Sequence, residues 1–322
     1  VTNVNNVSIL TGPYPKSHGI ASNYRLLRNT MREIFVESSE YIQAETLFQR
    51  AEAMGLESIL VSSKDKLRSL LGNGATMAMS SEQPIDWVVK LIGPPPPIYS
   101  LEINGWSIKA ASVMMSNQSA DIVYITTTDY AMHTYEPESK ESQRHMTIID
   151  RAICDLIDEH PDTTVLITAD HGMRSKTQLV DLKGTLSKYG IASNPIPIIK
   201  DRYVVHHSNL GGCMYVYLKG GDIFLAVDVL RETPGVDDVL LREEAAHKYD
   251  LPCDWIGDLV VTGEPDVVFG VSGGQVLPQN LRSHGSTYEL QVPILGYNGD
   301  FDDFLFNENR DVGRYVFERV LN

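Results

Sequence analysis

Thr164-Val165-Leu166-Ile167-Thr168-Ala169-Asp170-His171-Gly172-Met173 is the stretch that decides the fold class. From Thr164 to Thr168 it is β-branched and apolar with no turn residue, which predicts a buried strand. The strand ends on a carboxylate and an imidazole, and Gly172 lets the chain leave it sharply. An open parallel sheet gathers its chemistry at the carboxyl ends of its strands. Asp170 and His171 there offer a hard oxygen and an imidazole nitrogen to one divalent metal. The same two residues also suit an Asp that caps the next helix beside a surface His, so other stretches must decide.

Working upstream, Asp121 to Thr126 reads as a second strand, with Ile122, Val123, Tyr124 and Ile125 as β-formers. It runs into Asp129 and His133, whose spacing puts both on one face of a helical turn, where they can share a metal. A helix is predicted from about Ser139 to Glu159, with Met146, Ile149, Ile153 and Ile157 as its buried stripe. Strand, crossover helix, strand predicts parallel pairing and a right-handed crossover. Both strands then deliver Asp and His to the same sheet edge.

Composition narrows the function. The 322 residues suit one large α/β domain, or a core with a smaller lobe. A hydrophobic content of 43% supports a packed core, and a formal net charge of −15 argues against a nucleic-acid groove. An anionic substrate would need a local positive site. Cys154, Cys213 and Cys253 are odd in number and far apart, which predicts a reducing, cytoplasmic setting without a disulfide frame. No stretch is long and apolar enough for a membrane span, and none resembles a signal peptide.

The opening Thr2-Asn3-Val4-Asn5-Asn6 precedes an apolar segment with helical spacing, so several of these residues are plausible N-caps. A hydroxyl at a helix N-terminus faces free N–H groups, which favour an alkoxide and a phosphoryl oxygen alike. Asn23, in the following loop, could donate to such an oxygen or simply satisfy the loop backbone. Glu40 to Gly55 predicts an amphipathic helix with Leu47, Ala51 and Met54 on one face. Ser58 to Ser62 predicts a short buried strand with Lys64 and Lys66 at its carboxyl end. Those two ammonium groups could clamp an anion, or belong to a solvated helix start. Residues 174–270 look like a small α+β lobe with strands near Met214–Leu218, Val239–Arg242 and Leu259–Thr262 and a helix over Phe224–Arg231. Tandem His206-His207 reads as a partly buried strand edge or the lobe's mouth. His284 lies in a Gly/Ser loop that could approach a metal. His145, His160 and His247 read as structural.

Two Asp-His pairs at strand ends, a late loop His and a Thr at a helix start form a far more specific set than any member. Two divalent ions about 4 Å apart could bridge a phosphoryl oxygen and activate a hydroxyl. The chain resembles the alkaline phosphatase superfamily, its nucleotide pyrophosphatase/phosphodiesterase-like branch, and within that the phosphonoacetate hydrolases. The resemblance rests on Thr2-Asn3-Val4-Asn5-Asn6 with Thr11-Gly12, His18-Gly19-Ile20, Lys64-Asp65-Lys66-Leu67-Arg68, Thr128-Asp129-Tyr130, Asp170-His171-Gly172-Met173, Tyr203-Val204-Val205-His206-His207 and Arg282-Ser283-His284-Gly285. It implies an α/β/α sandwich with a mostly parallel central sheet and a small α+β cap. The core would comprise residues 1–173 and 271–322, and the cap residues 174–270.

By this resemblance Thr2 is the nucleophile and Asn23 binds a phosphoryl oxygen. Asp129, His133 and His284 ligate one metal, and Asp170 and His171 the other. Lys64 and Lys66 hold a substrate carboxylate. The resemblance implies zinc, with manganese or iron as alternatives, and a small-molecule phosphonate cleaved at its carbon–phosphorus bond. It implies neither a nucleic-acid nor a membrane partner, and allows for a homodimer. The superfamily places a further metal-ligand Asp on its first strand, ahead of the nucleophile. The sequence begins at Val1, so the expectation is that this strand lies upstream in a longer protein; a chain lacking it would be impaired. Two other readings compete: a phosphodiesterase or nucleotide pyrophosphatase, which would want an aromatic base slot in place of the lysines, and a non-catalytic anion-binding homologue.

Overall fold

The computed structural model describes residues 1–270 and 276–322. At its centre three parallel strands run in the order Met77–Ser80, Ser58–Ser62, Ile122–Thr126. Every residue of Ser58–Ser62 is buried, as expected of a middle strand covered on both faces. The helix Ile103–Asn117 packs on this sheet and against Lys140–Glu159. The two helices approach closely at Gly105, where an added Cβ would stand 2.6 Å from Ile148 Cγ2.

The pairing of Val165–Thr168 differs from expectation. This strand does not join Ile122–Thr126 in parallel; it pairs antiparallel with Ile294–Tyr297, in the register Ile167↔Leu295. Its residues are half-buried, and its partner is exposed from Leu295 to Tyr297. The apolar run specified a strand, but the ladder bonds went to a segment far along the chain.

Two helices also depart in detail. The helix expected over Glu40–Gly55 is Leu47–Ala53. Thr46 Oγ1 accepts from the Gln49 N–H at 3.2 Å, while Gln49 Oε1 accepts from the Thr46 N–H at 3.0 Å. This capping box starts the helix late. Leu47 and Ala51 are buried, but Met54 lies past the last turn and is exposed. In Lys140–Glu159 the buried side is marked by His145 and Leu156, with Ile148, Ile149 and Ala152 half-buried; Met146 faces solvent. Of the expected stripe, Ile149, Ile153 and Ile157 are half-buried and only Met146 turns outward.

Beyond Ser175 the chain builds a four-stranded antiparallel sheet in the order Val236–Leu241, Leu259–Gly263, Cys213–Leu218, Ser193–Pro197. Alternation along Cys213–Leu218 gives each face a separate core. Met214 and Val216 pack with Leu182, Leu186, Ala226 and Leu230 from two covering helices. Cys213, Tyr215 and Tyr217 face the core that also holds Val4, Val7 and Leu10 of the first helix. The expected return to the core at residue 271 lies outside the described residues. Among the described residues no helix is long and apolar enough to cross a membrane.

Candidate metal centre and substrate site

The helix Thr2–Thr11 begins at Thr2 itself, not after it, and no side chain caps it. The Thr2 hydroxyl is therefore not spent on helix N–H groups; Oγ1 lies 3.3 Å from His171 Nε2. Nδ1 of His171 stands 3.0 Å from the Gly172 carbonyl, which can only accept, so Nδ1 carries the proton and Nε2 is bare. Burial lowers the His171 pKa, which keeps the ring neutral. Asp170 Oδ2 is 3.3 Å from the same Nε2.

Asp129 sits between the other histidines. His133 Nε2 is 3.0 Å from Asp129 Oδ2, and His133 Nδ1 is 2.6 Å from the Arg282 carbonyl. That carbonyl fixes a proton on Nδ1, so Nε2 is the ring atom turned toward the carboxylate. The two atoms are candidate ligands for one divalent cation. Burial disfavours the Asp129 carboxylate, but the Lys64 ammonium leads the neighbours that outweigh it and hold its pKa well below the usual range. His284 stacks on His171, ring centroids 3.5 Å apart and 13° from parallel. Burial and the neighbouring imidazoles keep the His284 pKa well below the usual histidine value, and its Nδ1 is buried without a protein partner.

Two donor groups result. Donor atoms of Asp129, His171 and His284 lie within 4.8 Å of one another, and so do those of Asp129, His133 and His206. Neutral buried imidazoles, ionised carboxylate and orphaned ring nitrogens together fit divalent cations. The grouping differs from the expected Asp129–His133–His284 set: Asp129 belongs to both groups, and His284 comes in beside His171. Asp170 stands at the edge, touching His171.

Sequence reading missed His206. His206 and His207 are the buried residues of the short helix Val204–His207, not a strand edge. His206 Nδ1 reaches to 3.5 Å from Asp129 Oδ1, and its Nε2 is buried without a partner. The tandem histidines were visible in the sequence; what they face was not.

Lys64 and Lys66 are buried, not solvated. Lys64 Nζ is 2.9 Å from Asp129 Oδ1, and Lys66 Nζ pairs with Asp201. Asp201 also accepts from the Tyr203 N–H at 2.7 Å and lies 3.3 Å from His207 Nε2. It too went unnoticed in the sequence. The Tyr203 ring lies 5.4 Å from Lys64 Nζ and 5.6 Å from Lys66 Nζ, so both ammonium groups border one patch beside Asp129. Asn23 braces the start of the first helix. Its Oδ1 accepts from the Asn3 N–H at 3.0 Å and its Nδ2 donates to the Ile199 carbonyl at 3.2 Å, leaving one amide hydrogen for another acceptor.

The family model for type I phosphodiesterase / nucleotide pyrophosphatase matches residues 1–287. The chain belongs to this family. It is an enzyme, a hydrolase of the alkaline phosphatase superfamily. Members of the superfamily are metal-dependent, and this chain carries candidate ligands. Phosphonoacetate hydrolase from Sinorhizobium meliloti 1021, in complex with phosphonoacetate, matches with a TM-score of 0.89 and 32% identity, over 98% of this chain and 84% of that one. Its complex with phosphonoformate gives the same score and identity, over 98% and 83%. Murine ectonucleotide pyrophosphatase / phosphodiesterase 5 shares the fold at 15% identity and a TM-score of 0.66, over 92% of this chain and 76% of that one.

Proposed function

We propose that this family member hydrolyses phosphonoacetate to acetate and phosphate, with Thr2 as nucleophile. The observation that carries this reading is the pair of buried ammonium groups around the Tyr203 ring, Lys64 against Asp129 of the donor cluster and Lys66 against Asp201. A phosphoryl group at the histidines would place a carboxylate two bonds away on the lysines. Asp129, His133, His171, His206 and His284, with Asp170 beside them, would hold two divalent cations, zinc in the first instance or manganese or iron. Bound there, the cations would draw charge from the Thr2 hydroxyl and the phosphoryl oxygens.

His171 Nε2, 3.3 Å from Thr2 Oγ1, would hold a cation, so the Thr2 proton passes to water as the hydroxyl reacts. Thr2 Oγ1 attacks phosphorus, and the carbon–phosphorus electron pair leaves with the methylene carbon. Lys64 and Lys66 stabilise that charge as it delocalises onto the carboxylate, so they act in the reaction as well as in binding. Water protonates the carbon to give acetate, and a second water cleaves the phosphothreonine to release phosphate.

A diesterase reading draws on Tyr99 and Tyr130, whose rings lie 5.6 Å apart near His206. They are tilted 55° to each other and do not form a parallel base slot. Assaying phosphate release from phosphonoacetate beside a nitrophenyl nucleotide ester tests the choice. Turnover of phosphonoacetate is expected; cleavage of the ester alone would overturn the proposal.

A further inference from the structure

We infer that the buried Lys176–Glu289 ion pair is a positioning device for the His171–His284 half of the metal centre. The inference rests on the proposal that these two histidines hold a cation. Neither Lys176 nor Glu289 belongs to a donor group, yet Glu289 is tied to both histidine segments. Its backbone carbonyl accepts from the Gly172 N–H at 2.7 Å, one residue beyond His171. Its Oε2 accepts from the Ser286 N–H at 2.9 Å and the Ser286 hydroxyl at 2.7 Å, two residues beyond His284. Its Oε1 accepts from Lys176 Nζ at 2.9 Å, and that ammonium also donates to the Pro265 carbonyl at 2.8 Å. Glu289 thus joins the two turns that present the stacked rings, its backbone carbonyl holding Gly172 and its carboxylate holding Ser286 and Lys176. At Gly172 a side chain would crowd this joint, since an added Cβ would stand 3.1 Å from the Glu289 carbonyl oxygen.

The pair is sealed, with side-chain exposures of 0% for Lys176 and 1% for Glu289. Two charges removed from water gain little stability over a packed apolar pair. Their placement makes sense as orientation. Partners behind metal ligands hold ring geometry, and their loss typically weakens metal binding about 10–100-fold.

The test is Zn2+ titration of the metal-free full chain by calorimetry, beside its thermal midpoint. The double variant Lys176→Met/Glu289→Gln removes both charges while the amide can still accept from Ser286. Zn2+ affinity is expected to fall about 10-fold or more, with the metal-free midpoint within a few degrees of wild type. Unchanged affinity overturns the inference, and so does a loss that accompanies a collapsed midpoint, which would mean general loosening. Should the double variant not fold, Ser286→Ala removes only the hydroxyl donor to Glu289. A several-fold loss of affinity at an unchanged midpoint then supports the device, and unchanged affinity overturns it. His284→Ala is the control: if it leaves Zn2+ affinity intact, the cation site itself is misassigned, which is a different failure.

Discussion

The Thr2 hydroxyl oxygen stands 3.3 Å from Nε2 of His171, at the start of a helix whose backbone makes no claim on it. A hydroxyl so placed, beside a neutral imidazole and the donor cluster, is suited to attack. Thr2→Ala is expected to lower turnover at least about 1000-fold, the scale on which nucleophile losses act. Bound metal, measured by atomic absorption, should match wild type. Turnover near the wild-type rate would mean that water attacks phosphorus directly.

Lys64 and Lys66 call for different readouts because their partners differ. Lys64→Ala should cut kcat/KM for phosphonoacetate by about 100-fold while bound metal stays constant, a loss typical of removing one partner of a charge pair. An unchanged kcat/KM would remove the case for a carboxylate-bearing substrate. Lys66→Ala strands the buried Asp201 carboxylate, and should destabilise the fold by about 3–5 kcal/mol in urea unfolding. Lys66→Met/Asp201→Asn should recover much of that stability but not the activity.

Acid should unfold this protein partly through His18. Its Nδ1 accepts from the Ile20 N–H at 3.2 Å, so Nε2 carries the proton and donates to Ser8 Oγ at 2.8 Å. Burial pushes the His18 pKa down to about 4. The unfolded chain takes up this proton near pH 6.5, so between about pH 6.5 and 4 the unfolded state binds more protons. Stability is full above that window and falls as pH drops through it, by an amount on the order of 3 kcal/mol for this group. Urea midpoints at pH 7 and pH 5 should therefore differ less in His18→Asn than in wild type. An identical acid slope would assign the loss to other groups.

The first helix owes its position to a close crossing. Gly313, on the helix Asp311–Tyr315, lies against the Ile9 carbonyl oxygen, well inside the reach of any Cβ. Gly313→Ala should cost about 3 kcal/mol or more as the helices separate. Activity should fall with it, because the same helix carries Thr2. A wild-type midpoint for this variant in thermal unfolding would show that the crossing is looser than described.

Local chemistry was legible along the chain. The Asp129–His133 spacing and the buried strand Ser58–Ser62 are each written within a few residues, and each appears where the pattern placed it. Partners were not legible in the same way. Val165–Thr168 bonds to Ile294–Tyr297 instead of Ile122–Thr126 because an apolar strand names no particular neighbour. His206 looked like a strand edge, although it is buried against Asp129.

By itself, the order of residues determined which side chains could ligate, attack or carry charge, because those capacities are local and covalent. Only the tertiary structure decided that Asp129 serves two donor groups, that Lys66 answers to Asp201, and that Glu289 joins the turns behind His171 and His284. Each of those pairings spans loops far apart in sequence. Their distances come from the packing of whole helices and sheets, which no short window of residues encodes.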